Sequence, residues 1–482
     1  MRRIALSLIC FAVAGVAATA ATARTAVLTA KTGPTNPIAT ALDDPIFLGP
    51  QRSTAFAMAS AAGATYARIL VQWRSIAPAK LPGSGFDPTD PSSKYYQWSA
   101  LNATVAAAKA HGIQPILDIV QTPSWAYETK PDGVYKGGRP SVTALGQFAT
   151  ALARRYNGSV HAYSVWNEPN FNRNLYPQDP TYYRQMVNAV ANSIHAVDPT
   201  DLALAGELAP FKHTPSKTDK NNVMPPILFM QKMLCLSTST PEKQVCSQKA
   251  NFDVWTHHPY SDTGPFGKAK VAGGVELGDL PKMDALLNTA YQLGSISTES
   301  GQAPQFWVTE IGWSSSPPNH NGVPMGLETR WVSESFYQVW KSGATLGTWY
   351  LLQDEPKSTP FQSGLYMNSS SIAGARAKPL LAAFEMPFVA YYKSGGKVQM
   401  WGRDATSDKQ DVTIQMKVSG KWKTVAIITS NGNGIFEATL PLHAKKSYAM
   451  RATANGVTSA TFSLTKPSNE NLNVTPFPLN SN

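Results

Sequence analysis

The chain has 482 residues, of which 43% are hydrophobic and 10% aromatic, so it is long enough for a large catalytic domain with a second, smaller unit. Its formal net charge is +11, and from residue 394 onward ten basic side chains stand against five acidic ones. No helix-turn-helix, zinc or RNA-binding signature accompanies this charge, which argues against specific nucleic-acid binding and leaves solubility, or weak attraction to an acidic polymer or a cell wall.

The N-terminus has the residue order of a secretory signal. Two arginines precede an apolar run that begins at Ile4, and small residues around Ala23 follow it. We therefore expect a signal peptide over residues 1–23, a polar lead over residues 24–44 and a secreted mature protein. The alternative is an uncleaved membrane anchor, but the Ala- and Thr-rich run lacks the Leu and Ile density of a stable span. We expect no stable membrane insertion.

The cysteines fit this expectation. Cys10 lies inside the apolar run, which leaves Cys235 and Cys246 in the mature protein. An even count in an oxidising compartment predicts a local disulfide between them, and two separate thiols are the alternative.

Eight short apolar runs alternate with amphipathic segments over residues 45–393. The runs cover residues 46–48, 65–71, 113–120, 160–166, 202–207, 252–258, 305–313 and 346–353, and helical patterns include 99–110, 142–156, 182–197 and 327–341. Alternating strands and helices predict a parallel sheet, and eight repeats favour a (β/α)8 barrel over an open doubly wound sheet. Polar connections at 89–97, 210–226 and 261–281 would then lie on the C-terminal face, either as substrate subsites or as tolerated surface insertions.

The pattern of apolar and polar residues changes near the C-terminus. A last helical pattern runs to Tyr392, and Ser394, Gly395 and Gly396 indicate a linker. Short alternating strands separated by turn residues then predict a small all-β, Ig-like sandwich over residues 394–465. The Asn-, Ser- and Pro-rich residues 466–482 have the composition of a disordered tail.

Two glutamates end buried strand patterns. Glu168 ends the fourth run, in Tyr-Ser-Val-Trp-Asn-Glu-Pro-Asn, and Glu310 lies near the end of the seventh, in Phe-Trp-Val-Thr-Glu-Ile-Gly-Trp. A carboxylate that ends a barrel strand points into the site, and hydrolysis of a glycosidic bond with retention needs two carboxyl groups about 5 Å apart. Glu168 and Glu310 are therefore the candidate catalytic pair.

These motifs resemble clan A of the glycoside hydrolases, most closely family 39 and related bacterial barrels, over residues 47–391. The Asn-Glu-Pro of Asn167, Glu168 and Pro169 matches the clan's fourth strand, and the Thr-Glu-x-Gly-Trp that begins at Thr309 matches its seventh. The resemblance implies that Glu168 is the acid/base, Glu310 the nucleophile, and Asn167 a ligand of the sugar's 2-hydroxyl.

Other strand ends agree with the resemblance. It implies that Arg68, on the second strand, lies near the nucleophile and that His258 or Tyr260, after the sixth, contacts it. Arg68 could instead form an ion pair at the barrel rim. His257 and His258 together could indicate a metal, but adjacent strand residues face opposite ways and no third ligand is evident, so we predict no metal.

Aromatic and further acidic residues occupy the remaining strand ends. Trp125, Trp313 and Trp349 resemble the sugar-stacking aromatics of such barrels, with packing at the rim as the alternative. Four more acids are available to sugar hydroxyls or as a rival pair, although none lies in a comparable motif: Asp118, Glu207, Asp354 and Glu355.

The sequence thus predicts a secreted retaining O-glycosyl hydrolase that needs no cofactor and acts on an oligo- or polysaccharide. A non-catalytic carbohydrate-binding or exopolysaccharide-handling barrel is one alternative, although it would be expected to have lost one of the two glutamates. A transglycosylase, which shares the intermediate, is the other. The sugar, the anomer and the choice between endo and exo cleavage remain open.

Overall fold

The computed structural model describes residues 27–83, 85–131, 137–210, 222–359, 361–406, 408–445 and 448–464. The predicted signal peptide, the predicted tail and most of the connection 210–226 lie outside these residues. No helix in the described ranges has both the length and the apolar character needed to cross a bilayer.

Eight parallel strands close into a barrel, which confirms the predicted fold class. In chain order they are β1 (Ala39–Asp43), β2 (Tyr66–Gln72), β3 (Gln114–Val120), β4 (Ala162–Val165), β5 (Leu202–Leu208), β6 (Val254–His257), β7 (Gln305–Ile311) and β8 (Leu346–Tyr350). Each strand pairs with the next, and β8 pairs with β1 to close the ring. The carboxyl ends of all eight strands therefore meet at one end of the barrel.

The inside of the barrel is a packed core. Seven strands each contribute one side chain to a buried layer: Ala41, Ile116, Ala162, Leu204, Val254, Trp307 and Leu346. Several of these residues begin their strands, so the layer fills the N-terminal half of the barrel. The apolar layer closes this half of the barrel, and the polar residues Arg68, Asp118 and Glu207 follow it along their strands.

Helices surround the barrel. They are α1 (Arg52–Ala61), α2 (Trp73–Ile76), α3 (Ser99–Ala110), α4 (Val142–Tyr156), α5 (Pro180–His195), α6 (Pro226–Met233), α7 (Leu280–Gln292), α8 (Met325–Lys341) and α9 (Leu380–Glu385), with 3-10 turns at Pro45–Leu48, Leu277–Asp279, Ile372–Gly374 and Ser394–Gly396. Helix α5 begins after Asp179, whose carboxylate accepts from the backbone N–H groups of Thr181 and Tyr182. Gly112, with φ 70°, follows α3 in the left-handed conformation that ends helices.

The first barrel strand is not the one predicted. The apolar residues 46–48 form a 3-10 turn after Asp44, which accepts from the N–H of Ile46, and Phe47 stacks on Phe56 of α1 at 4.5 Å. The strand is Ala39–Asp43, within the predicted polar lead. Its inward residues are small because the barrel interior is crowded, so the segment lacks the apolar density by which the other seven strands are recognised.

The C-terminal region is all-β, as predicted, but it uses residues from outside the predicted range. One sheet joins Phe388–Tyr392, Val398–Arg403 and Ile435–Leu440; the other joins Leu28–Lys31, Lys421–Thr429, Asp411–Val418, Ala449–Ala454, Val457–Thr458 and Phe462–Ser463. Helix α9 ends at Glu385, not at Tyr392, because the β-branched and aromatic residues that follow pair as a strand with Val398–Arg403.

Candidate active site

The carboxyl ends of the strands bring together a ring of polar side chains. Each strand, or the segment that directly follows it, contributes at least one member: Asp43, Arg68, Asp118, Asn167 and Glu168, Glu207, His258 and Tyr260, Glu310, and Tyr350. Every residue predicted to be catalytic is in this ring, and so are all the predicted substrate ligands except the tryptophans.

Glu168 and Glu310 face each other across His258. Nδ1 of His258 lies 3.4 Å from Oε1 of Glu168 and 3.6 Å from Oε1 of Glu310, so these two oxygens are at most about 7 Å apart. The two side chains retain 19% and 13% exposure, whereas those of Asp118 and Glu207 have none. The predicted pair is thus the part of the acidic cluster that a ligand can reach.

Two donors fix the carboxylate of Glu310. Nη1 of Arg68 donates to Oε1 at 2.6 Å, and the Tyr260 hydroxyl donates to Oε2 at 2.7 Å. Burial, and next the charge of Glu310, raise the pKa of Tyr260 well above its ordinary value, so the phenol keeps the proton that it donates. Both oxygens of Glu310 are therefore held in place, one by a group on β2 and the other by a group in the segment after β6.

Glu168 sits on strained backbone. Trp166 and Glu168 have φ values of 70° and 46°, and residues other than glycine in this left-handed region cost roughly 1–3 kcal/mol each. The strain is held by tertiary bonds: the N–H of Glu168 donates to the carbonyl of Glu207 at 2.9 Å. Asn170 accepts from the N–H of Ala209 through its side-chain oxygen and donates to the carbonyl of the same residue. The loop after β4 is therefore tied to the end of β5.

Arg68 is the buried centre of the ring. Its Nη1 also donates to Asp43 at 2.6 Å, while Nη2 donates to Asp118 at 2.6 Å and to the side-chain oxygen of Asn167 at 2.7 Å. Burial raises the pKa of Asp43 to about 7 and that of Asp118 to about 8, although the charge of Arg68 opposes both shifts. Burial and the charge of Arg68 therefore act in opposite directions on the pKa values of these two carboxyl groups.

This arrangement predicts a large stability cost for changes at Arg68. Arg68→Ala should lower the free energy of unfolding by about 3–5 kcal/mol, because it leaves several buried carboxyl groups without their cation. Arg68→Lys should also destabilise the fold, since one ammonium group cannot reproduce the planar set of N–H donors of the guanidinium. Urea unfolding measures both effects, with Arg154→Ala as the control: Arg154 is exposed, and its loss should cost less than about 0.5 kcal/mol. A loss below about 1 kcal/mol for Arg68→Ala would contradict the role.

His258 and His257 face opposite ways, as predicted for adjacent strand-end residues. Nε2 of His258 lies 2.7 Å from Oε2 of Glu207, whereas Nε2 of His257 donates to the carbonyl of Val275 at 2.9 Å. Burial lowers the pKa of His257 to about 3, so this imidazole is neutral. The two histidines do not converge on a common ligand.

A different group in the described residues has metal-like spacing. Ligand atoms of His161, Asp198 and Asp201 lie within 4.8 Å of one another. These residues precede β4 and β5, so they lie at the N-terminal end of the barrel, opposite the candidate site. Elsewhere, Cys235 and Cys246 form a disulfide, with their Cα atoms 5.4 Å apart.

Two of the three predicted sugar-stacking tryptophans are corrected by the structure. Trp313 and Trp349 have no exposed surface, and their ring centroids lie 6.1 Å apart. Their indole N–H groups donate to the carbonyls of Ser261 and Ser363. They pack beneath the loops, and neither offers a face to a ligand. Trp125 is only partly buried.

Four members of the ring were not assigned a site role from the sequence. Asp43 was missed because β1 was misplaced; the Asp43-Asp44-Pro45 sequence after a run of small residues is the signal that could have found it. Tyr350, which ends β8, lies close enough to Glu310 for that charge to contribute to raising its pKa. Asp118 and Glu207 were predicted only as acids available to sugar hydroxyls or as a rival pair, because neither lies in a recognised motif.

Comparison with known proteins identifies a family for most of the barrel. The model described as Cellulase (glycosyl hydrolase family 5) matches residues 31–303, which is more than half of the chain. No curated protein sequence matches the chain.

Solved structures are similar in fold. A monomeric β-xylosidase from Caulobacter crescentus CB15 matches with 15% identity and a TM-score of 0.50, over 81% of this chain and 86% of that one. A family 39 glycoside hydrolase from Bacteroides cellulosilyticus WH2 matches with 16% identity and a TM-score of 0.49, over 84% and 80%. A family 39 enzyme from Xanthomonas axonopodis pv. citri matches with 14% identity and a TM-score of 0.49, over 86% and 94%.

Proposed function

The chain belongs to the cellulase family, glycosyl hydrolase family 5, and on that premise we propose that it cleaves glycosidic bonds by double displacement, with retention at the anomeric carbon. Family 5 is a member of clan A, so the resemblance seen in the sequence is confirmed and the chain is a glycoside hydrolase. The observation that carries the proposed mechanism is the pairing of Glu168 and Glu310, both partly exposed and both within 3.6 Å of one imidazole nitrogen.

The two glutamates have different roles in this mechanism. Glu310 attacks the anomeric carbon while Glu168 gives its proton to the departing oxygen, which leaves a covalent glycosyl–enzyme ester. Glu168 then takes a proton from water, the water oxygen attacks the anomeric carbon, and the ester bond to Glu310 breaks. The donors on Glu310 support its role as nucleophile, because Arg68 and Tyr260 hold both oxygens and stabilise the carboxylate.

Neighbouring side chains are suited to bind the sugar. Arg68 engages the side-chain oxygen of Asn167, which leaves the amide nitrogen of Asn167 as the donor to the 2-hydroxyl. Trp125, with its N–H bonded to the carbonyl of Pro78 and its ring edge-on to Phe86 at 6.2 Å, is the aromatic suited to stack on a sugar ring. These features support an oligo- or polysaccharide as the substrate.

The experiment that tests the proposal is a release assay over aryl glycosides and plant or microbial polysaccharides. Xylosides come first, because one similar solved structure is a β-xylosidase, and glucosides and mannosides follow. We expect the wild-type enzyme to release the aglycone from at least one glycoside and to give a first-formed sugar with the anomeric configuration of the substrate. Binding of glycans without hydrolysis over days would indicate a non-catalytic barrel, and transfer products with added acceptor sugars would indicate a transglycosylase.

We also propose that the protein is secreted. The support is the charged, apolar and small-residue order of residues 1–23. Mass spectrometry of protein from the culture medium should give a mature N-terminus near residue 24, and an intact N-terminus would contradict the proposal.

Weak attraction of the C-terminal region to acidic polymers is a further part of the proposed function. Its support is the excess of basic residues after position 394, among them Lys417 and Arg451, which lie 5.8 and 4.3 Å from the ring centroid of Trp422. Retention on an acidic polysaccharide that disappears at moderate salt is the expected behaviour.

A further inference from the structure

Glu207 reaches the catalytic ring because β5 contains a bulge. The register between β5 and β6 shifts between Trp255 and His257, opposite Gly206 and Glu207, which have φ values of 120° and 48°. A side chain at position 206 would collide with the carbonyl oxygen of Thr256, so the bulge requires glycine there. The bulge turns the Glu207 side chain into the barrel, where it has no exposed surface.

The carboxylate of Glu207 joins the two strands that carry the catalytic glutamates. Ser164, on the strand that leads to Glu168, donates to Oε1 at 2.6 Å. Thr309, the residue immediately before Glu310, donates to Oε2 at 2.6 Å. With the bond from the N–H of Glu168 to its carbonyl, Glu207 contacts both strands next to the reacting groups.

Glu207 also fixes the orientation of His258. A carboxylate without a proton only accepts, so Nε2 of His258 donates to Oε2 of Glu207 at 2.7 Å. The ring then presents Nδ1 to Oε1 of Glu168 at 3.4 Å and to Oε1 of Glu310 at 3.6 Å. His258 therefore contacts both the proposed acid/base, Glu168, and the proposed nucleophile, Glu310, and Glu207 fixes the orientation of its ring.

We propose that Glu207 is a positioning residue of the reaction: it anchors His258 as a cation that donates from Nδ1 to Glu168 and lies beside Glu310. The proposal rests on the double displacement proposed above. Glu207 takes no part in bond breaking. Its effect on the reaction is through His258, whose positive charge stabilises whichever catalytic carboxyl group is ionised: Glu310 in the free enzyme and Glu168 in the covalent intermediate.

The charges around His258 support this role. Five carboxyl groups and the guanidinium of Arg68 surround it: Asp43, Asp118, Glu168, Glu207 and Glu310. Burial lowers the pKa of His258, but the charge of Glu310 and the hydrogen bonds to Glu168 and Glu207 outweigh burial and raise it to about 10. Burial likewise opposes ionisation of Glu207, yet Arg68 and His258 lower its pKa to about 2. Because its pKa is raised, His258 keeps its positive charge until the pH rises through about 10. The neighbouring His257 is neutral, so it does not repel the charge of His258.

The test is Glu207→Gln, which keeps the shape of the side chain and removes its charge. The imidazolium of His258 should then become a neutral imidazole near neutral pH. Loss of this positive charge raises the pKa of the neighbouring catalytic carboxyl groups. We expect kcat to fall about 10²-fold with KM within about threefold, and the acidic limb of the pH profile of kcat/KM to move up by about one pH unit.

Asp201→Asn is the matched control. Asp201 precedes the same strand at the other end of the barrel, is buried, and has a carboxylate oxygen 3.0 Å from Nδ1 of His161. Its replacement should leave the acidic limb and kcat unchanged, whatever it does to stability. A purely structural role of Glu207 predicts the same for Glu207→Gln: lower stability with an unmoved acidic limb. That result, in folded protein, would overturn the proposal.

A measurement on the wild-type protein keeps the proposal testable if Glu207→Gln does not fold. The chain has eight histidines, so ¹⁵N labelling of histidine, with the His258→Gln variant to assign the signal, follows one imidazole across pH. We expect both nitrogens of His258 to be protonated at pH 8, and a neutral ring at that pH would refute the proposal. This readout needs no substrate, so it is independent of the release assay: inactivity in that assay would count against the proposed function, not against the state of His258.

Discussion

Glu310→Ala should abolish hydrolysis of every substrate that the wild-type protein cleaves, with kcat lowered by about 10⁴-fold or more, roughly 5.5 kcal/mol of transition-state stabilisation. The reason is that, among the carboxylates of the described ring, Glu310 is the partly exposed one whose two oxygens each accept from a separate side chain. Steady-state assays with nitrophenyl glycosides measure the loss, and circular dichroism establishes that the variant is folded.

Azide distinguishes the loss of a nucleophile from general damage to the site. The alanine leaves space in which azide can attack the anomeric carbon directly from the side that Glu310 occupied. One displacement inverts the carbon, so rescue should yield a glycosyl azide of inverted configuration. Unimpaired turnover, or a rescued product of retained configuration, would show that Glu310 is not the nucleophile.

Glu168→Ala should show a loss that depends on the leaving group. With poor leaving groups we expect kcat/KM to fall about 10²–10⁴-fold, the usual contribution of a general acid. Activated leaving groups such as dinitrophenolate depart without a proton, so the first step should be much less affected, and the glycosyl–enzyme ester should accumulate because no base activates water. A burst of aglycone release followed by slow turnover is the expected kinetic pattern.

The matched azide experiment separates Glu168 from Glu310. In Glu168→Ala, azide attacks the ester that Glu310 has already formed, so two inversions give a glycosyl azide of retained configuration. An equal loss for good and poor leaving groups would exclude Glu168 as the acid. Opposite azide products from the two variants would assign both roles within one chemical test.

The barrel could be predicted because seven of its strands coincide with short apolar runs that alternate with amphipathic segments. The two glutamates could be predicted because strand ends in a barrel converge, and because Trp166-Asn167-Glu168-Pro169 is a specific motif. What the sequence pattern did not predict depends on pairing between distant segments. Leu28–Lys31 is read as polar lead, but it pairs in parallel with Lys421–Thr429, near the other end of the chain.

Burial and backbone geometry explain the remaining differences. The sequence around a tryptophan does not show whether its ring is exposed or buried. The burial of Trp313 and Trp349 against each other therefore became evident only in the folded structure. Glu207 depends on a bulge that a Gly-Glu pair permits but does not require. Its position in the site depends on contacts with residues on or next to three other strands, and these contacts produce no local sequence motif.

The double displacement is tested most directly by trapping its intermediate. A 2-deoxy-2-fluoro glycoside of the sugar identified in the release assay, with an activated leaving group, should inactivate the wild-type enzyme and add the mass of one fluorosugar. Peptide mass spectrometry should place that mass on Glu310, in the segment Trp307-Val308-Thr309-Glu310-Ile311. A label on any other residue, or turnover to a sugar of inverted configuration without a covalent adduct, would contradict the mechanism.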